Sequence, residues 1–201
     1  MGADSIFSDV RGVIFDMDGT LVDSPLDFNA IRAEARVPAG VPILEFMAQA
    51  SGADRQRVER VLSEHEERAA LTCVPRDGAF EVNRELRRRG LKTALLTRNS
   101  ARSVRTVLKR FDLHFDTWVS RDEAEPKPSP APLFYIADRL GLAAQQLMIV
   151  GDYVFDVECG RRAGARTAFV KHARGVEPPP GTDVVIERLS ELLDLLPDRS
   201  G

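Results

Sequence analysis

From Pro75 onward, short apolar runs alternate with stretches of helical periodicity, and this alternation restricts the chain to few folds. Runs at 92–97, 117–120, 147–150, 167–170 and 183–186 have the length and composition of strands. Between them lie helical stretches at 78–89, 100–111, about 130–141 and 155–163, three of which close on Gly90, Gly141 and Gly164; a last helix is expected at 190–196. An earlier apolar run, 10–15, adds a buried strand that breaks at Asp16-Met-Asp18-Gly-Thr20. Such repetition predicts an α/β fold, a doubly wound parallel sheet with helices on both faces. In that architecture ligands bind beyond the carboxyl ends of the strands, so functional residues are expected just after them.

One segment breaks the rhythm. Between Pro25 and Pro75 the texture is helical throughout, with short stretches split by Pro38, Gly40 and Pro42. A long amphipathic helix follows at 53–71, with Val58, Val61 and Leu62 on one face and Glu59, Glu64, Glu66 and Glu67 largely elsewhere. A chain of 201 residues has room for one α/β domain and an insertion of this size, not for two large domains.

Charge and composition remove several functions. A formal net charge of −3 gives no basic footprint for nucleic acid or an anionic membrane surface. The apolar run Val13-Ile14-Phe15 is too short for a signal or spanning segment, the start of the chain carries an acid instead of a basic region, and Ile6 stands where a myristoylation signal needs Ser or Thr. Cys73 and Cys159 are far apart, which fits a reducing cytoplasm better than a disulfide framework or zinc knuckle. Only Lys92, Lys109, Lys127 and Lys171 among the 28 basic residues are lysines, so each lysine invites a question.

Four strand ends carry candidate chemistry. Asp16 and Asp18 are close enough to repel, which favours a bound cation, a shared proton or a division of labour; a capping turn or a calcium-loop fragment is the plain alternative. Thr97 precedes a helix start at Ser100, where a hydroxyl and backbone N–H groups suit an oxyanion or make an ordinary N-cap. Lys127, in Glu125-Pro-Lys127-Pro-Ser-Pro130, is either a fixed point charge on a stiff loop or a solvated lysine. Asp152 and Asp156, after the run 147–150, lie one helical turn apart and offer hard oxygen ligands suited to Mg²⁺, or else one caps the helix and the other is exposed.

Taken in order, Asp16-Met-Asp18-Gly-Thr20, Thr97, Lys127-Pro-Ser-Pro130 and Gly151-Asp152-Tyr-Val-Phe-Asp156 resemble the four motifs of the haloacid dehalogenase-like hydrolase superfamily. Within it the chain most resembles the phosphoglycolate-phosphatase-like group, in which a helical cap is inserted just after the first strand. Residues 21–75 take that place, leaving 1–20 and 76–201 as a Rossmann-like catalytic core. The cap is short for this group and is expected to cover the pocket less completely.

The resemblance implies a phosphatase acting on a small phosphorylated metabolite. Asp16 would be the nucleophile that forms an aspartyl-phosphate, and Asp18 the acid and then the base. Mg²⁺ would be held by the Asp16 carboxylate, the Asp18 carbonyl and Asp152, with Asp156 supporting directly or through water. Thr97, Lys127 and the neighbouring Arg98 would bind the phosphate. Arg98 stands where many relatives carry a small or amide residue, and it either touches substrate or contributes its N–H and points outward; Asn99 is undecided. Arg32 and Arg36 either reach a substrate anion or are solvated, and His65, His114 and His172 show no ligand spacing. The presence of Asp18 argues against a dehalogenase. The short cap argues against a phosphomutase of the β-phosphoglucomutase type, which must exclude water. A receiver-like domain would not carry its phosphorylated aspartate on the first strand, and a degenerate binding module would have lost one of the residues. The expected protein is cytoplasmic, a monomer or homodimer, with neither nucleic acid nor membrane as partner.

Overall fold

A computed structural model describes residues 6–172 and 177–199. Residues 1–5, on which part of the export reading falls, lie outside the described residues. Six strands form one parallel sheet: β1 (Gly12–Phe15), β4 (Lys92–Leu96), β5 (Thr117–Val119), β6 (Leu147–Gly151), β7 (Arg166–Val170) and β8 (Val184–Ile186), in the order β5-β4-β1-β6-β7-β8. The chain is α/β and doubly wound, and the sequence order of these strands follows the expected alternation. Helices α4 (Ala79–Arg88) and α5 (Ala101–Phe111), with the short α8 (Leu192–Leu195), cover one face, and α6 (Ala131–Leu140) and α7 (Val154–Ala163) cover the other. The expected closing helix is shorter than its sequence pattern, because a 3₁₀ turn at Leu189–Glu191 precedes α8.

Strand pleating explains the two cores. Val13 and Phe15 of β1 point into a cluster with Leu86, Leu95, Val104 and Val150, whereas Ile14 points the other way, toward Leu96, Leu133, Ile149 and Cys159. Both faces of the central strands are dry, as continuous apolar runs require.

The helical segment has a third core. It comprises α1 (Phe28–Ala35), α2 (Ile43–Gln49) and α3 (Gly52–Thr72), packed through Ile31, Ile43, Leu44, Val58, Val61 and Leu62. Asp27 caps α1 by accepting from the Asn29 and Ala30 amides, and Arg36 ends it in the left-handed region at φ 57°. A two-residue antiparallel pair, β2 (Val22–Asp23) with β3 (Val74–Pro75), closes the base of the segment, so the chain leaves and re-enters the α/β layer through adjacent strands. No sequence signal marked that pair, which is too short for periodicity.

Candidate active site

Register aligns the chemistry. Phe15 lies level with Leu95 on one side and with Val150 on the other, and the Asp16 amide donates to the Val150 carbonyl at 2.9 Å. The residues just beyond these strand ends therefore share one rim. Asp16, Asp18, Thr97, Arg98, Lys127, Asp152 and Asp156 all line one cavity of about 370 Å³.

At its floor, Lys127 is buried, with only 2% of its surface exposed, so the solvated-lysine alternative is set aside. Its Nζ donates to Asp16 Oδ1 at 2.6 Å, Asp156 Oδ1 at 2.6 Å and the Leu96 carbonyl at 2.8 Å. Three ammonium protons thus meet three acceptors. Burial alone would push Lys127 down, but Asp156 and Asp16 together outweigh it and hold the ammonium above its usual range. Burial pushes Asp16 well up, Lys127 opposes this, and Asp156 and Asp152 add to it.

Asp18 has a different environment. Its two carboxyl oxygens accept from the Ser24 hydroxyl and the Asn99 side-chain amide. Burial raises its pKa against the effect of these donors. Asn99, undecided from sequence, is thereby an Asp18 partner. Thr97 is buried, and its Oγ1 accepts from the Asn99 amide at 3.2 Å.

Carboxylate oxygens of Asp16, Asp152 and Asp156 come within 4.8 Å of one another. Asp156 is fixed: its second oxygen accepts from the Tyr153 amide at 3.1 Å. Burial, and then the charge of Asp156, push Asp152 up to about 6. Two glycines make room, since a Cβ on Gly19, at φ 78°, would overlap the Asp152 carboxylate and one on Gly151 would overlap that of Asp156. An all-oxygen donor set of surplus negative charge, with no thiol or imidazole among the three, fits a hard divalent cation such as Mg²⁺ and does not suit zinc.

Arg98 does not point outward. Nη2 contacts both oxygens of Glu45 on α2, at 2.9 and 2.8 Å, Nη1 donates to the Lys127 carbonyl, and the guanidinium lies 4.5 Å from the Phe155 ring centroid. Its charge is thus engaged by the helical segment. Glu66, grouped by the sequence with the glutamates that lie largely off the apolar face of α3, is buried. It accepts from Arg121 and, at 3.1 Å, from the Ser100 amide, and burial raises its pKa against Arg121.

His172, to which the sequence assigned no role, has Nδ1 2.8 Å from Arg76 Nη2 and Nε2 3.5 Å from Asp152. Burial and then Arg76 hold it below its usual range. His172 follows the end of β7 and Arg76 the end of β3, which is what brings the two together. His65 instead meets Glu34 at 2.8 Å, away from the cavity lining.

The sequence profile of the haloacid dehalogenase-like hydrolases matches residues 10–164. The chain belongs to this family. An uncharacterized hydrolase of Saccharomyces cerevisiae is 33% identical over 93% of the chain and 91% of its own length. The N-acetylmuramic acid 6-phosphate phosphatase of Pseudomonas aeruginosa is 29% identical over 93% and 95%. Among solved structures, a predicted phosphoglycolate phosphatase from Haemophilus somnus superposes with a TM-score of 0.73, covering 94% of this chain and 98% of that one. At 19% identity that likeness speaks for the fold alone. The chain is therefore a hydrolase with the haloacid dehalogenase-like architecture, and it resembles the phosphoglycolate-phosphatase-like group. No helix among the described residues is long and apolar enough to cross a membrane.

Proposed function

We propose that the chain is a phosphoric monoester hydrolase that cleaves a small phosphorylated metabolite through an aspartyl-phosphate on Asp16. The observation that carries this reading is the contrast between two carboxyls two residues apart: Asp16 faces the Lys127 ammonium, whereas Asp18 is held by the neutral donors Ser24 and Asn99. Carboxyls whose surroundings differ in this way can divide the roles of nucleophile and acid.

In the first step an Asp16 oxygen attacks phosphorus and the substrate P–O bond breaks. Asp18, its pKa raised by burial, gives its proton to the departing alkoxide. In the second step ionised Asp18 takes a proton from water, which attacks the phosphoryl group and returns Asp16 as a carboxylate. Thr97, on the lining, would offer its hydroxyl to a phosphoryl oxygen, whereas the Asn99, Ser100 and Ala101 amides are already taken by Thr97, Glu66 and Asp122. Lys127 acts through its charge, because a phosphoryl oxygen must displace one of its three acceptors to receive a hydrogen bond from it. Asp16, Asp152 and Asp156, with the Asp18 carbonyl, would hold Mg²⁺. When bound, that ion supplies positive charge that keeps Asp16 ionised and offsets repulsion between the nucleophile and the phosphate.

In this reading residues 21–75 are the cap over a core of 1–20 and 76–201, and the protein is a cytoplasmic monomer or homodimer, in keeping with two buried free cysteines. The test is a phosphate-ester panel with Mg²⁺, using Asp16→Asn as the blank. Wild type should release phosphate, and the variant should lose at least about 10³-fold in kcat. No hydrolysis of any ester, or equal rates for the two proteins, would overturn the reading.

A further inference from the structure

Helix α3 belongs to two cores. Val58, Val61 and Leu62 pack with α1 and α2, whereas Ala70, further along, joins the cluster of Val104 and Val107 of α5 in the α/β layer. Glu66 lies between these contacts and is only 3% exposed. Its Oε1 accepts from Arg121 Nη1, and its Oε2 accepts from the Ser100 amide at 3.1 Å. Although Glu66 reaches the cavity lining, these two donors hold it as an acceptor, so it is not placed to carry a proton to substrate.

What the Glu66–Arg121 pair holds is a turn of backbone. The Ser100 amide stands at the start of α5, where helical geometry supplies it with no partner. Arg121 Nη1 also donates to the Arg98 carbonyl at 3.4 Å, Nη2 to Ser63 Oγ of α3 at 3.4 Å, and the Arg121 amide to the Asn99 carbonyl at 3.1 Å. Three consecutive residues, Arg98, Asn99 and Ser100, are therefore gripped through their main chain by Glu66 and Arg121. The same turn carries Asn99, whose Nδ2 donates to Asp18 Oδ2 and whose amide donates to Thr97 Oγ1 at 3.2 Å. The Glu45–Arg98 pair reaches this turn too, but it grips a side chain and is more exposed. A buried ion pair gains little stability over well-packed apolar side chains, so the fixed direction of this one is the property to explain.

The geometry points to Glu66 as a positioning residue for Asp18: with Arg121 it fixes the 98–100 turn that directs the Asn99 side chain to the Asp18 carboxyl. The inference rests on the phosphatase reading and adds the side chain of the helical segment on which the orientation of Asp18 depends. Without Glu66 the Ser100 amide loses its acceptor and Arg121 its counter-charge, the turn relaxes, and Asn99 no longer fixes one oxygen of Asp18. Substrate then binds beside a misaimed acid, which lowers the rate and spares binding.

Glu66→Ala should lower kcat for an alkyl phosphate about 10²-fold with KM little changed. The phosphorylation burst with p-nitrophenyl phosphate, whose leaving group needs no proton, should keep its wild-type rate in rapid-quench experiments. Glu66→Gln, which keeps one acceptor in place of two, should lose less, and it carries the test if Glu66→Ala does not fold. Val58→Ala weakens α3 within its own apolar core and should lower Tm without either kinetic change. In an Asn99→Ala background the Glu66 substitution should add little further loss. Equal losses with both esters, an effect confined to KM, an unchanged kcat, or losses additive with Asn99→Ala overturn the role of Glu66 and leave the phosphatase reading standing. If wild type hydrolyses no ester, the phosphatase reading falls and the Asn99 side-chain amide resonance in nitrogen-15 NMR decides the positioning by itself. A shift in Glu66→Gln that matches Asp18→Asn and is absent from Val58→Ala upholds it, and an unchanged resonance overturns it.

Discussion

Replacing Lys127 by Met tests how the floor of the cavity is held together. Met has a similar length and no charge, so Lys127→Met removes the ammonium while largely preserving volume. It leaves Asp16 and Asp156, both buried, without the cation that each contacts at 2.6 Å, and it orphans the Leu96 carbonyl. Removing one partner of a buried ion pair costs about 3–5 kcal/mol. At roughly 2–4 °C per kcal/mol for a domain of this size, Tm should fall by about 6–20 °C. The measurement is urea denaturation at pH 7.5 in a chelator, repeated with saturating Mg²⁺. If Asp16, Asp152 and Asp156 hold the ion, Mg²⁺ should stabilise the variant more than wild type, because it offsets charges that the variant has left unpaired. The deficit should also shrink at acid pH. The Asp16 pKa is already raised by burial and rises further once Lys127 no longer opposes it, so the penalty is greatest when the carboxyl is ionised and is relieved as pH falls through its folded value. A deficit below about 1 kcal/mol would show that the ammonium is not what balances these carboxylates. Failure of Mg²⁺ to stabilise either protein would remove the metal reading.

Three further outcomes are expected. Asp18→Asn should lower kcat about 10²–10⁴-fold with alkyl phosphates. With p-nitrophenyl phosphate, whose leaving group needs no proton, a burst of one equivalent should precede slow turnover in rapid-quench experiments, and equal losses without a burst would sink the acid–base role. In a chelator, Asp152 titrates near 6 when folded against an ordinary 3.8, so folding takes up a proton between these values. Asp152 should contribute a decline in stability of up to about 3 kcal/mol as pH rises from about 4 to about 6; Asp152→Asn should make the slope in pH-dependent denaturation shallower by that share, the raised Asp16, Asp18 and Glu66 supplying the rest, and identical slopes in the two proteins would contradict the assignment. Finally, Glu45→Gln should raise KM about fivefold with little change in kcat, and a double-mutant cycle with Arg98→Lys should give a coupling near 1 kcal/mol that weakens with salt. Additive effects would mean that the pair between α2 and the Thr97 loop does not help close the cavity.

What was legible in the sequence follows one physical division. Apolar period and chain breaks report which residues face a core, and they located the strands and so the rim where Asp16, Thr97, Lys127 and Asp152 lie together. They carry no information on how a charged side chain is partnered. Glu66 belongs to a helix whose other glutamates are largely exposed, and its burial depends on Arg121, far along the chain. Arg98 turns inward because Glu45 meets it from α2, and His172 is engaged because Arg76 and Asp152 converge on it from two other segments. Arg32 and Arg36 are alike by composition, yet the helix ends in a left-handed residue at Arg36, which leaves only Arg32 against the cavity. Glu66 and Arg98 are each one half of a pair joining the helical segment to the α/β layer, where long arginine side chains bridge two separately packed cores. The missing information, which distant carboxylate neutralises which arginine, therefore decides how the segment is fastened to the α/β layer beside the cavity.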